Sequence, residues 1–139
     1  MRRIVPLVFS VLLLLPVVGW ATGFGGDNPP ARIPIPSQDF KATVVDHGGI
    51  SFDVDRASYN GEVFFYGKMG AAQITLPFKN VRSVTFTKGS EPETRTATAR
   101  TKDGEEMTFT VADDVPCYGK TKVGNYSIET ADIRSITIH

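Results

Sequence analysis

The chain has 139 residues, 15 basic against 15 acidic, 41% apolar residues and one cysteine. That length holds one domain, or two very small ones sharing a core. Zero net charge removes the electrostatic footprint of a nucleic-acid binder. A single cysteine excludes an internal disulfide, and two histidines exclude a His-rich metal site.

Met1-Arg2-Arg3 is a short basic start, and residues 4–18 follow without a charge. This apolar run falls short of the roughly 20 residues that a spanning helix needs. Small residues then appear in two small-x-small triplets, Gly19-Trp20-Ala21 and Ala21-Thr22-Gly23. The layout is that of a secretory signal peptide over 1–23, which directs the chain to the periplasm or out of the cell. After cleavage no membrane span is expected. Residues 1–23 carry two arginines and no acid, so 13 basic and 15 acidic residues remain. A mildly acidic exported chain is unsuited overall to phosphate backbones or anionic lipid. Residues 24–38, FGGDNPPARIPIPSQ, hold two glycines and four prolines. Proline fixes φ and removes donors, so an extended tether is expected there.

From Asp39 onward Thr, Val, Ile, Phe and Tyr alternate with period two, and no long apolar stripe has helical spacing. Tight-turn pairs punctuate the chain, among them Asn60-Gly61, Lys88-Gly89 and Asp103-Gly104. An internal repeat organises these strands. Residues 63–86 and 115–138 align at an offset of 52 without a gap, with seven of 24 positions identical. The identities include Tyr66/Tyr118, Gly67/Gly119, Lys68/Lys120, Arg82/Arg134 and Ser83/Ser135. Upstream, Ile50–Val54 aligns with Met107–Val111 at an offset of 57, so the first copy carries a five-residue insertion.

Each copy reads as five strands, with a three- or four-residue turn before the last. Strand, single helical turn, strand is similar in layout to the end of a small SH3-like or Sm-like barrel. A copy of this size is too small to bury a stable core alone. The expected fold is all-β: one barrel or sandwich of about ten short antiparallel strands, built from repeat one (39–87) and repeat two (94–138). Two tandem SH3-like small barrels are the alternative.

Few residues suggest chemistry. The repeated Tyr-Gly-Lys offers two aromatic-plus-cation sites, Tyr66/Lys68 and Tyr118/Lys120, for a peptide, glycan or carboxylate. The competing explanation is a repeated framework in which glycine permits a bulge or a close approach. The insertion Asp55–Glu62 breaks the symmetry, and as a loop it would present Tyr59 and Asn60 to a partner. Asp53-Val54-Asp55 fails the calcium-loop pattern further along. Cys117 aligns with Phe65, which points to a buried thiol. No spacing of His, Ser, Asp, Glu or Cys forms a catalytic set, so no catalytic residue, metal site, disulfide or cofactor is expected.

These features point to an exported, non-enzymatic β module that binds or scaffolds a protein or glycan partner. A small-ligand or carbohydrate-binding barrel is the alternative, and a thiol or hydrolytic enzyme the remote one. Open strand edges would allow oligomers. If the leader is an address, mass spectrometry of the exported protein finds its first residue at Thr22 or Phe24. An intact Met1 in the exported fraction would mean that it is an anchor.

Overall fold

The computed structural model describes residues 31–139. The signal peptide expected over 1–23 and the first part of the tether, 24–30, lie outside the described residues. Ten strands form the domain: β1 (Ala42–Asp46), β2 (Ser51–Tyr59), β3 (Phe64–Met69), β4 (Ala72–Pro77), β5 (Val81–Lys88), β6 (Thr94–Thr101), β7 (Glu106–Ala112), β8 (Pro116–Lys120), β9 (Asn125–Glu129) and β10 (Ile133–Ile138). Single 3₁₀ turns at Phe78–Asn80 and Thr130–Asp132 precede β5 and β10, where the short turns were expected. All pairings are antiparallel. The fold is therefore all-β, as one curled half-barrel sheet. The sheet is continuous, so two separate tandem barrels are not formed.

The strand order is β4-β3-β7-β6-β5-β10-β1-β2-β8-β9. Exchanging each strand with its counterpart five places along the chain reproduces this order read backwards. The exchange centre is the β5–β10 pair, where Val84 faces Ile136 and the flanking pairs are Ser83↔Thr137 and Thr85↔Ser135. Val84 and Ile136 are equivalent at the offset of 52, so the strand order and the sequence repeat share this centre.

The hairpins are exchanged between halves. β6 and β7 of the second copy lie between β5 and β3 of the first, while β1 and β2 lie between β10 and β8. Alternation along each strand sets which side chains the sheet buries. Val84, Phe86, Ala97, Ala99, Phe109, Val111, Ile136 and Ile138 all face inward and are buried. Between them, cross-strand rows of Thr and Ser face out, such as Ser135–Thr85–Thr98–Thr108. β-branched hydroxyl residues suit half-exposed strand positions. The repeated Arg82 and Arg134 are both exposed, and Arg134 Nη2 donates to the His47 carbonyl at 3.2 Å rather than to an acid.

Residues 31–40 contain no helix or strand, yet Pro36 is buried and Phe40 packs edge-on against Phe78, ring centres 5.6 Å apart.

The insertion in the first copy is not a loop. β2 continues through it to Tyr59, and Asn60-Gly61 forms the two-residue turn of a tight hairpin. Asn60 (φ 56°) and Gly61 (φ 86°) are both left-handed, the geometry of a type I′ turn. The Tyr59 N–H donates to Glu62 O at 2.8 Å, and the Glu62 N–H returns to Tyr59 O at 2.9 Å.

The expected exposure of Tyr59 is therefore wrong. Tyr59 is 0% exposed, its ring 5.2 Å from that of Phe65 and 5.0 Å from that of Tyr66. The reason lies in the unequal copies. Phe65 and Phe78 stack in one half (4.8 Å), whereas their equivalents, Cys117 and Thr130, are much smaller. Tyr59 pairs with Cys117 on the sheet, and its ring supplies bulk beside the smaller pair. Its hydroxyl stands by Thr130 without a well-formed hydrogen bond.

Tyr59→Ala should thus cost about 3–5 kcal/mol and lower the melting temperature by at least about 12 °C. Tyr59→Phe, which keeps the ring, should cost under about 1 kcal/mol. A mild Tyr59→Ala variant would contradict this account of the core.

Candidate functional site

The repeated Tyr-Gly-Lys lies on β3 and β8, each the second strand from an edge of the sheet. Its glycine is explained by packing. A Cβ on Gly119 would stand 2.6 Å from Val54 Cβ, and one on Gly67 would lie 3.1 Å from Val111 Cγ1 and overlap the Thr110 carbonyl oxygen. Val54 and Val111 are equivalent at the offset of 57, so both copies use the same close approach of neighbouring strands.

The motif nonetheless borders clefts. β3 pairs with β7 only at Lys68↔Thr110 and then diverges from it. The space that opens, about 440 Å³, is floored by Ile74 and Val111 and bordered by Tyr66, Lys68, Glu91 and Glu93. Here it is termed cleft one. The turn bearing both glutamates is fixed by Thr94 Oγ1 donating to Glu91 O at 2.7 Å and by the Asp113 N–H donating to Glu93 O at 3.1 Å. Tyr66 is positioned from behind: Asn60 Nδ2 donates to its hydroxyl at 2.9 Å, and Tyr59 packs edge-on against its ring. Asn60 thus orients a cleft residue, while its own N–H donates to Pro116 O at 2.7 Å.

Cleft two has the equivalent place in the other half. It is smaller, about 310 Å³, and its lining includes Lys120 and Asn125, the counterparts of Lys68 and Gln73 in cleft one. Arg32, Arg56 and residues 33–35 complete it. Tyr118 is half-buried on β8, where Ser58 and Ser127 flank it on the neighbouring strands. Among the sequence candidates, then, Tyr66 and Lys68 share cleft one, Asn60 supports it, Lys120 faces cleft two and Tyr59 belongs to the core. The sequence candidates did not include Ile74, Glu91 and Glu93 of cleft one or Arg32 and Arg56 of cleft two. The insertion is the sequence signal for Arg56.

Cys117 is buried, and burial raises its thiol from the ordinary 9.0 to about 12, partly offset by the Thr130 hydroxyl. Thr130 Oγ1 is itself committed to Val115 O at 2.8 Å. Such a thiol is protonated and unreactive near neutral pH. The His47 Nε2 lies 2.9 Å from Arg95 Nη2 and 3.1 Å from Ala131 O. Burial likewise lifts Tyr126 to about 12, helped by Asp46, and raises Tyr59 well above the usual phenol range. Among the described residues no three His, Cys, Asp or Glu side chains gather in a metal-binding group. Among them, too, no helix is long and apolar enough to cross a membrane.

These raised values have one sign. Each group favours its neutral form in the folded state, so its contribution is complete below the unfolded pKa and is lost as pH rises through the folded one. Stability should fall from about pH 9 through Cys117 and steepen above about pH 10 as the tyrosines join. Denaturation titrations against pH should show the onset, and Cys117→Ala should move it upward by about one pH unit. In the folded protein at pH 7.5, a thiol reagent should modify Cys117 only at the rate of unfolding; rapid labelling would show that the thiol is accessible.

A family described as "Uncharacterised protein" matches residues 36–139, and the chain belongs to that family. No curated protein and no solved structure matches the chain.

Proposed function

We propose that this chain is an exported, non-enzymatic β module that holds a partner protein through cleft one and the adjoining edge of the sheet. One observation carries the proposal: β4 pairs on one side only, and cleft one runs beside it. An unpaired edge offers a row of backbone donors and acceptors to an added strand, and pockets beside it select side chains. The apolar floor of Ile74 and Val111 would take an aliphatic or aromatic group. The rim, with Lys68 opposed by Glu91 and Glu93, would set polarity and direction.

A small ligand or glycan is the second reading. It is favoured by the size of cleft one, about 440 Å³, which lies within the range of small-molecule sites.

The test is site-specific photo-cross-linking in the native compartment. A photoreactive residue at Thr75, on the edge strand, should give a discrete adduct with one protein, and Ile74→Glu should abolish it. The same probe at Thr108, on the outer face of β7, should give none. Identical adducts from both positions, or none from Thr75, would overturn the protein-partner reading. Saturable binding of a soluble oligosaccharide that Ile74→Glu removes would instead support the second reading.

A further inference from the structure

Clefts one and two occupy equivalent places but differ in charge. Cleft one carries one cation and two carboxylates, Lys68 against Glu91 and Glu93. Cleft two carries Arg32, Arg56 and Lys120, and among the described residues no acid lines it. The three cations come from three separate segments: the lead into β1, the middle of β2 and the end of β8. None of the three side chains makes an ion pair or hydrogen bond among the described residues.

Arg56 is placed there by a local distortion. The β2–β8 register slips between Asp55 and Ser58, and Arg56 sits at the slip with φ 53°. Its N–H is held by Asp39 Oδ1 at 2.9 Å. A non-glycine residue in this region costs of the order of 1 kcal/mol, and bulges re-aim side chains. Here the bulge sets the Arg56 guanidinium in the same cleft as two other cations.

The basic surface continues. A neighbouring cleft of about 460 Å³ shares Lys120 and adds Lys41, Lys122 and His139. Asp55 pairs with Lys41 Nζ at 2.7 Å, and Asp53 accepts from the Thr43 hydroxyl at 2.7 Å, so among the described residues Lys120 and Lys122 are the cations of this cleft outside an ion pair. The Thr43 proton goes to Asp53, so His139 Nε2, 2.7 Å from Thr43 Oγ1, acts as the donor of that pair. Lys122 then stands beside Lys120 as a second cation reaching from the β8–β9 turn.

We propose that cleft two and its neighbour together bind a soluble, phosphate-bearing polyanion, with one phosphate at Arg32, Arg56 and Lys120 and another toward Lys122. Two guanidinium groups favour phosphate, whose geometry their forked donors match. Overall acidity does not oppose this, because at physiological salt a charge is screened beyond about 8 Å and the local cluster decides. The site is independent of cleft one and of any protein partner there.

Isothermal titration of the full exported chain with inorganic tripolyphosphate tests the proposal. One tripolyphosphate should bind per chain, and affinity should fall on raising the salt from low to physiological strength. Arg56→Gln and Lys120→Gln should each weaken binding about tenfold or more, the value of a charge-assisted hydrogen bond. Lys102→Gln, in the distant β6–β7 turn, should leave it unchanged. Melting curves report folding of each variant, and if Arg56→Gln melts early, Lys120→Gln carries the test alone. No binding at low salt would overturn the proposal, as would equal weakening by Lys102→Gln. Arg56-dependent binding to phosphatidylglycerol vesicles without binding of tripolyphosphate would also overturn it, in favour of a lipid surface.

Discussion

The molecule depends on the exchange of two hairpins. Each half of the sheet has its outer strands from one repeat and its middle pair from the other. Neither copy can satisfy its own β3 or β5 edge, because the strand that pairs there belongs to its counterpart. The exchange also explains why such short copies suffice. A five-strand unit alone buries too little apolar surface, whereas the ten-strand sheet encloses one continuous core from Phe40 to Ile138. The β5–β10 pair, with Val84 against Ile136, is where this mutual dependence is centred.

Departures from the repeat locate the interesting chemistry. The framework repeats faithfully where packing demands it, as at Gly67 with Val111 and Gly119 with Val54. It diverges at Phe65/Cys117 and Phe78/Thr130, and the five-residue insertion brings Tyr59 to that place. The same insertion bulges β2 and turns Arg56 outward. One short addition therefore contributes Tyr59 to the core and Arg56 to the lining of cleft two. Charge diverges as well, with glutamates beside Lys68 and arginines beside Lys120. Two clefts of common architecture can thus take different ligands.

Much of the fold was legible. Period-two alternation, turn pairs and the repeat at Tyr-Gly-Lys and Arg-Ser gave the number and order of the strands, though β2 runs on through the stretch read as a loop, and the alignment of Cys117 with Phe65 placed the thiol in the core. The pairing between copies was not legible, because alternation says which face a residue takes but not which strand lies beside it. Tyr59 was misplaced for a related reason. Asn60-Gly61 is a hairpin signal, so the residues before it belong to a strand, and a large aromatic at a strand end packs inward whenever space exists. The clefts could not be read at all. Lys68 shares a cleft with Glu91 and Glu93, and Lys120 with Arg32 and Arg56, only because the fold brings together distant stretches of the chain.

The exchange has a kinetic side. Thr43 and His139 touch although they stand 96 positions apart, and β1 can complete its pairing only when β10 is in place. Contacts of such range must close large loops before they stabilise anything, and that slows folding. Local hairpins such as β3–β4 and β8–β9 can form early, but neither encloses a core. A chain that must wait for its final strand stays open while it is being made, as the export proposed above would require.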